Sequence, residues 1–276
     1  MITIEPTGGL ANRMRVIASG IWLKDQLGTS LTVVWNLNDE LNCPFGDLFE
    51  PLTGVSIIAK PTKYYRLRRS NQPTGFAQWK AKAINALLGI DYCIQEIDFH
   101  ELIWPGKLDI LETAKKYKHL YIQTCQEFGD NLYAFKQFKP IPQLLADIQK
   151  TTASFGPDAV GVHIRRTDNT FSIQHSPLDL FTEAMQQAID IRPETTFYLS
   201  SDDAETKATL TGIFGQRIIT QRKKTDRQSV EGVRDAVLDM YCLAATQRIL
   251  GSYWSSFSDI AARINNIPLR VIKSEA

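Results

Sequence analysis

Short apolar runs alternate along this chain with longer stretches in which apolar residues recur at helical spacing. This alternation is typical of βα units that build a mostly parallel sheet. The first half predicts strands at 2–5, 31–35, 55–58 and 120–124 and helices at 12–27, 79–88 and 108–117. Apart from the helix at 79–88, residues 60–105 follow no clear period and predict irregular structure. On the first helix, Met14, Ile17 and Ile21 should share the face that packs on the sheet, with Arg13 elsewhere.

The sequence KPIP at 139–142 marks a boundary, because proline can neither continue a helix nor lie in a central strand. The alternation then resumes and predicts strands at 159–164, 196–199, 217–219 and 248–250 and helices at 143–153, 178–191, 204–214, 230–246 and 256–264. The predicted fold class is therefore α/β, with two Rossmann-like domains at 1–141 and 142–276.

Composition narrows the function classes. The chain has 276 residues, 43% of them hydrophobic, so it can bury large cores. Its 31 Lys and Arg against 30 Asp and Glu leave a net charge of +1, which gives no electrostatic reason to expect nucleic acid or an acidic membrane as a partner. The four cysteines lie far apart without a C-x-x-C pair and indicate neither a zinc site nor a disulfide framework.

The chain opens directly on a predicted strand, without a signal-like N-terminus, and has no apolar run of membrane-spanning length. We therefore expect a cytoplasmic enzyme with no stable membrane insertion. The sequence leaves its oligomeric state open.

The strand predicted at 159–164 leads directly into charged residues. His163, Arg165, Arg166 and Asp168 stand within the sequence VHIRRTD at 162–168. The carboxyl ends of parallel strands face the crevice where ligands bind, and a guanidinium there can grip two phosphate oxygens while a carboxylate holds its position. The sequence therefore predicts an anion site, with a structural ion pair at a strand end as the alternative.

A glycine loop precedes the first helix, in the sequence TGGLANR at 7–13. Gly8 and Gly9 would let backbone N–H groups approach a ligand at the helix N-terminus, where negative charge is favoured. The loop matches neither the dinucleotide fingerprint nor the P-loop, so it implies neither a dinucleotide cofactor nor a nucleoside triphosphate. It predicts a phosphate contact, and the alternative is a turn needed only for tight packing of strand and helix.

Two further strand ends carry small polar or acidic residues. In the sequence SSDD at 200–203, Asp202 or Asp203 should cap the following helix, which leaves the other to accept the paired N–H groups of a guanine edge. In GSYWSSFSD at 251–259, serine hydroxyls and N–H groups at a helix start predict a second anion site, or else a serine-rich cap. Trp254 and Phe257 are expected in the core under either interpretation.

These four segments resemble, in kind and order, the related GDP-fucose-dependent fucosyltransferases, which include the bacterial nodulation, α-1,6, α-1,2 and protein O-fucosyltransferases. The resemblance spans nearly the whole chain, and its specific parts are HIRRTD at 163–168 and SSFS at 255–258. It implies a GT-B-like fold, with two Rossmann-like domains facing across a cleft. The second domain would bind the GDP-sugar, and the first would form the acceptor side.

The resemblance also implies inverting transfer of fucose from GDP-fucose to a hydroxyl group of a glycan acceptor, without a metal ion or another cofactor. The chain agrees in lacking a D-x-D triplet. By the same resemblance, Arg165 would hold the β-phosphate and stabilise the departing GDP, His163 would contact the donor, and Arg166 would brace the loop against Asp168. The other implied donor-binding residues are Gly8, Gly9, Asn12, Arg13, Asp202, Asp203, Ser255, Ser256, Phe257 and Ser258.

The catalytic base does not transfer from the family. The α-1,6 members place a lysine and a glutamate soon after the arginine pair, where this chain has Asn169 and Ile173. The nearest titratable residues, Asp168 and His175, are candidates for the base. The acidic residues after the second strand, Asp39, Asp47 and Glu50, are equally plausible candidates. This departure leaves open a nucleotide-sugar-binding protein that has lost catalysis. A transferase for a different GDP-sugar is also open, because nothing in the sequence recognises the fucose ring.

Overall fold

The computed structural model describes residues 1–59, 76–167, 170–221 and 226–274, and gives the backbone alone for residues 76–78, 81 and 82. Asp168 and Asn169 therefore lie outside the described residues. The chain divides into two compact units, Met1–Lys139 and Pro140–Ala276. The division falls in the proline-containing segment that interrupts the pattern of the sequence.

The first unit is built around a parallel sheet. Its described strands are β1 (Ile2–Pro6), β2 (Leu31–Val34), β3 (Val55–Ile58), β4 (Tyr92–Gln95) and β5 (Leu120–Thr124), in the order β3-β2-β1-β5-β4. Its described helices are α1 (Leu10–Leu27), α2 (Phe76–Leu87), the one-turn α3 (Glu96–Asp98) and α4 (Ile110–Lys116). A π-helical turn spans Phe99–Ile103, and 3₁₀ turns span Phe45–Asp47 and Leu132–Gln137. The prediction of irregular structure over 60–105 is wrong at β4, because this strand buries only Cys93 and Ile94 and so offers no clear apolar run.

Helix α1 packs its apolar face on the first sheet. Met14, Ile17 and Ile21 are all fully buried, as their spacing predicts. The helix begins at Leu10, two residues before its predicted start, and ends at Gly28, whose φ of 58° is left-handed. A side chain at Gly20 would meet the first sheet, so this glycine allows the helix its close approach.

The second unit repeats the architecture. Its described strands are β6 (Val160–Ile164), β7 (Phe197–Ser201), β8 (Ile218–Thr220), β9 (Arg248–Ser252) and β10 (Leu269–Ile272), in the order β10-β9-β6-β7-β8. Its described helices are α5 (Pro142–Thr152), α6 (Thr170–His175), α7 (Leu178–Ile191), α8 (Ala204–Phe214), α9 (Val230–Ala244) and α10 (Ser256–Asn265), with a 3₁₀ turn at Gly215–Arg217. The pattern of the sequence did not predict α6 or β10. Two parallel α/β units confirm the predicted fold class.

The two faces of the second sheet differ in chemistry. Val162 and Ile164 of β6 belong to an apolar cluster with Phe181 and Met185 of α7. Burying each such side chain contributes roughly 1.5–3 kcal/mol to folding. His163 alternates with these residues and so points to the opposite face, where α9 and α10 pack. The sheet therefore presents one apolar face and one face with buried polar groups.

Within the described helices, none has both the length and the apolar character that crossing a membrane requires. Three of the four cysteines, Cys43, Cys93 and Cys242, are buried. Cys125 is half-buried and lies against Glu96, with Sγ 3.4 Å from its carboxylate.

Candidate functional site

Three strands of the second sheet end at one edge. His163 of β6 lies in register with Ser200 of β7 and with Gly251 of β9. Because these strands are parallel, the residues that follow them emerge side by side at the carboxyl edge, where α/β folds bind ligands. The described parts of the predicted anion segments, 165–167, 202–203 and 253–258, are thereby brought together.

Asp202 binds the loop that contains the arginine pair. Its carboxylate accepts hydrogen bonds from Arg166 N at 2.8 Å, from Thr167 N at 3.3 Å and from Thr167 Oγ1 at 2.7 Å. It also pairs with Arg165 Nε at 3.1 Å. The backbone N–H of Arg165 donates to Ser252 Oγ at 3.0 Å, so β7 and β9 both hold this loop. The side chain of Arg165 remains 19% exposed, enough to contact a ligand at the edge.

Arg166 is less accessible than a surface arginine. Burial lowers its pKa, and the negative charges of Asp203, Asp202 and Asp179 oppose that effect. Its Nη2 atom is buried and makes no hydrogen bond. The predicted brace between Arg166 and Asp168 involves a residue outside the described ones. The acidic residues around Arg166 give it a structural role at this edge.

His163 lies buried beneath the first turn of α10. Burial, and next the charge of Arg165, lowers its pKa to about 4, so the imidazole is neutral near pH 7. Its ring stacks on Phe257 with centroids 4.8 Å apart. Its Nδ1 atom is buried without a hydrogen-bond partner, an arrangement that is costly without a compensating contact. A ligand at this edge could supply that contact.

The N-terminus of α10 presents backbone N–H groups at the same edge. Ser255 is its N-cap residue, and no side-chain hydrogen bond caps the helix. Ser258 is buried and donates to Ser255 O at 3.3 Å, so its hydroxyl serves the helix start itself. Such an N-terminus favours an anion. The prediction that Trp254 lies in the core is wrong, since this side chain is 70% exposed and its φ is 56°.

Asp203 caps α8. Its Oδ2 atom accepts from Thr206 N at 2.8 Å and from Thr206 Oγ1 at 2.6 Å, which lowers the pKa of the carboxyl. One of the acidic pair therefore caps the helix, as predicted. The other, Asp202, is engaged by the arginine loop. Both carboxylates thus have structural partners at the edge where one of them was expected to recognise guanine.

Asp239 was missed by the sequence analysis. This carboxyl is 2% exposed on α9 and accepts hydrogen bonds from Tyr198 OH and from Ser200 Oγ, the latter at 2.9 Å. Burial raises its pKa. Ser200 is the register partner of His163, so a buried carboxyl and a buried imidazole occupy the same side of the sheet. The signal was present in the sequence, because this aspartate interrupts the apolar run AVLDMYCLA at 236–244.

His175 ends α6 and is exposed. Its ring lies 5.3 Å from that of Tyr253 and 6.5 Å from that of Phe171. The other predicted base, Asp168, lies outside the described residues. The structure therefore places His175 in an aromatic group beside the start of α10.

The glycine loop of the first unit already binds a carboxylate of the chain. Gly8 has a φ of 80°, and its N–H donates to Glu40 Oε2 at 2.8 Å. The Asn12 side chain lies over Gly8, where a Cβ atom would come within 2.7 Å of Nδ2. Asp39, Asp47 and Glu50 were the base candidates from the loop after Trp35, and Glu40 of that same loop, which the sequence analysis passed over, is the residue that contacts Gly8.

Arg13 is a buried brace, which corrects the prediction that it lies outside the packed face, while its predicted contact with the donor stays a prediction. Its guanidinium is fully buried and donates to Gly8 O at 2.8 Å, to Asn36 O at 2.5 Å and to Asn38 Oδ1 at 2.8 Å. It also lies 5.0 Å from the ring of Trp35. Burial lowers its pKa to about 10. Arg13 thus joins the loops that follow β1 and β2, and its charge is satisfied without a ligand.

Among the described residues, no group of three or more His, Cys, Asp or Glu side chains could hold a metal ion. In the described part of the chain, Arg165, Arg166 and the N-terminus of α10 bring positive charge to this edge.

No protein-family model matches the chain, and no curated protein matches it in sequence. Solved structures do. A crystal structure of NodZ α-1,6-fucosyltransferase soaked with GDP-fucose aligns over 95% of this chain and 92% of its own, with a TM-score of 0.64 and 19% identity. A mutant of Arabidopsis thaliana FUT1 in complex with GDP aligns over 98% of this chain and 70% of its own, with a TM-score of 0.64 and 14% identity.

A third structure, POFUT1 in complex with GDP, aligns over 98% of this chain and 97% of its own, with a TM-score of 0.57 and 11% identity. The chain has the fold of the fucosyltransferases. The family resemblance in the sequence is therefore confirmed at the level of the fold, and that fold extends over nearly the whole chain.

Proposed function

We propose that this protein is an inverting glycosyltransferase that moves fucose from GDP-fucose to a hydroxyl group of a glycan. The observation that carries the proposal is the constellation at the carboxyl edge of β6, β7 and β9. There Arg165, oriented by Asp202, lies in the loop adjoining the uncapped start of α10. The shared fold supports it, since the NodZ crystal was soaked with GDP-fucose and the POFUT1 structure is a complex with GDP.

In this proposal the second unit binds the donor. Arg165 and the N–H groups of α10 hold the diphosphate, and the guanidinium stabilises the charge that develops on departing GDP. Two arginines and a helix end supply positive charge at this edge, which supports transfer without a metal ion. His163, neutral and stacked on Phe257, contacts the nucleoside.

Guanine recognition is assigned to the acidic groups of the same unit. Asp202 already accepts bonds from the arginine loop, which makes it the weaker candidate. Asp203 caps α8 through Oδ2 and is half-buried beside Arg166, so it is the candidate that we favour. Asp239 is buried, and both of its oxygens already accept hydrogen bonds from the chain. A single carboxylate can accept the paired N–H donors of guanine, which adenine lacks.

The reaction is a single displacement. The acceptor oxygen attacks the anomeric carbon from the face opposite the phosphate, and the bond from that carbon to the β-phosphate oxygen breaks. The electron pair goes to GDP, and the hydroxyl proton passes to a base. Asp168 and His175 remain the candidates for that base in the second unit, and the first unit is proposed to form the acceptor side. The cytoplasmic location expected from the sequence stays a prediction.

Thermal unfolding and turnover together test the proposal. GDP at about a hundred times its dissociation constant should stabilise the protein by roughly 2.7 kcal/mol. UDP and ADP should have a smaller effect, and EDTA should leave the GDP effect unchanged. GDP-fucose with a glycan acceptor should release GDP.

Each alternative gives a different result. Turnover with another GDP-sugar but not with GDP-fucose would indicate a different donor. Selective stabilisation by GDP without turnover of any GDP-sugar would indicate a binding protein that has lost catalysis. Equal stabilisation by UDP would contradict the assignment of a guanine site.

A further inference from the structure

Four aromatic side chains form an exposed group next to the start of α10. We call this group, Phe171, His175, Tyr253 and Trp254, the aromatic platform. Phe171 is 56% exposed and Trp254 is 70% exposed, and their ring centroids lie 5.9 Å apart at an angle of 32°. The rings of Phe171 and His175 are nearly parallel, at 7°. Contiguous apolar surface of this kind often marks a binding site.

Hydrogen bonds hold the platform in one arrangement. Ser172 Oγ donates to Tyr253 O at 2.6 Å, and Tyr253 N donates to Ser176 Oγ at 2.8 Å. Both serines are fully buried. Helix α6 and the loop between β9 and α10 are thereby joined, and each contributes two of the four rings. A fixed surface loses less conformational entropy when it binds a ligand.

Trp254 has an unfavourable conformation for its residue type. Its φ of 56° lies in the left-handed region, which is uncommon for a bulky residue and strains the backbone. Glycine adopts this backbone conformation without strain. Tryptophan at the same position also exposes a large apolar ring to water. Both features oppose stability, so the indole is more readily explained by a binding role than by folding.

The platform borders the proposed diphosphate site. Trp254 directly precedes Ser255, the N-cap residue of α10, and the strand before it ends at Ser252, which binds Arg165 N. The rings themselves offer apolar faces and do not satisfy phosphate oxygens. A ligand next to the diphosphate that requires apolar faces is a sugar, because a pyranose ring presents C–H groups on one side and hydroxyls at its edge.

We propose that the aromatic platform binds a sugar ring of the acceptor glycan by stacking it on Trp254 and Phe171. This inference rests on the proposed function and names a part of the acceptor subsite that the second unit contributes in addition to the first. The acceptor is favoured over the donor sugar because the two rings are open to solvent and together are longer than one pyranose, which suits a glycan that arrives in extended form. His175 then lies within the acceptor subsite.

A neutral glycan array, probed with fluorescently labelled protein in saturating GDP, tests the inference. Trp254→Gly removes the indole and relieves its backbone strain, and Phe171→Ala removes the neighbouring ring. Trp79→Ala is the control, because Trp79 is 76% exposed in the first unit. Glycans captured by the wild-type protein should bind about tenfold or more weakly to both platform variants and normally to the control. GDP should stabilise all four proteins equally.

Capture of the same glycans by Trp254→Gly and wild-type protein would overturn the inference. So would the absence of any captured glycan when GDP still stabilises the wild-type protein, and in both cases the proposed function would stand. Absence of stabilisation by GDP would instead be a failure of the proposed function. If GDP does not stabilise the protein but glycans are captured and this capture depends on Trp254, the platform is supported as a sugar site. If no glycan is captured either, both proposals are rejected.

Discussion

The Nε atom of Arg165 lies 3.1 Å from Oδ2 of Asp202, and the same carboxylate accepts hydrogen bonds from the backbone N–H groups of Arg166 and Thr167. One aspartate therefore fixes the position of the loop and the direction of its guanidinium. It also offsets the charge of that guanidinium. This edge therefore has no large excess of positive charge. The affinity for an anion should depend mainly on how the guanidinium and the N–H donors are oriented.

Arg165→Lys should abolish most of the turnover of GDP-fucose. An ammonium group cannot reproduce the planar guanidinium that contacts Asp202 and would grip two phosphate oxygens. Loss of one preorganised contact at a developing anion typically lowers the rate by about 10²–10³. The control is Arg192→Lys, in a more exposed ion pair with Asp158. Near-native turnover by Arg165→Lys would show that Arg165 does not stabilise the leaving group.

Asp202→Asn should weaken GDP binding about tenfold to a hundredfold. The amide nitrogen would face donors in the loop, either Thr167 or Arg166, and the pairing with Arg165 would lose its charge. Isothermal titration with GDP measures the effect, and Asp158→Asn serves as the control for removal of a paired aspartate. Unchanged affinity in Asp202→Asn would mean that the loop keeps its geometry without the carboxylate.

The sequence predicted the architecture because its signals are local. Alternating apolar runs and helical periods place β1, β2 and β6 and the helices between them, and the register of parallel strands follows from that order. Two of the missed elements, β4 and β10, are edge strands without a continuous apolar run. β4 buries only Cys93 and Ile94, and β10 exposes Arg270 and Val271.

The candidate site was less predictable. Strand ends identified Arg165 and Asp202, but contact between them joins residues 37 positions apart in sequence, across two strands. From the sequence, Arg13 was expected at the surface as a ligand-binding residue. It is buried because its guanidinium donates hydrogen bonds to Asn36 and Asn38 in the loop after β2. Tertiary contacts of this kind leave no period or spacing in the sequence.

Removal of His163 should change how stability depends on pH. Its pKa is about 4 in the folded protein, against about 6.5 in an unfolded chain. The imidazole therefore contributes stability that is fully present above pH 6.5 and is lost as the pH falls toward 4, by about 3 kcal/mol in total. Urea unfolding at several pH values should show this loss in wild-type protein and in His175→Asn. His163→Asn should lack it, and equal pH dependence in both variants would contradict the burial of a neutral imidazole.

Arg13→Met should destabilise the protein without acting on the donor. The change removes the hydrogen bonds from the guanidinium to Gly8 O, Asn36 O and Asn38 Oδ1, at a cost of about 3 kcal/mol. Arg15→Met, which removes a bond to a single carbonyl, is the control on the same helix. Chemical denaturation measures the difference. A variant of near-native stability that no longer responds to GDP would restore Arg13 as a donor-binding residue.

The base should be separable from the residues that hold GDP, because an acceptor hydroxyl must lose its proton during transfer and GDP binding needs no such step. A positioned base typically contributes about 10²–10⁴-fold to the rate. We expect Asp168→Asn to weaken both the thermal shift with GDP and the transfer of fucose, as a residue that orients the arginines would. His175→Ala should have the milder effect. If Asp168→Asn binds GDP normally but no longer transfers fucose, Asp168 is the base. If neither variant is impaired, the base belongs to the acidic loop of the first unit at 39–50.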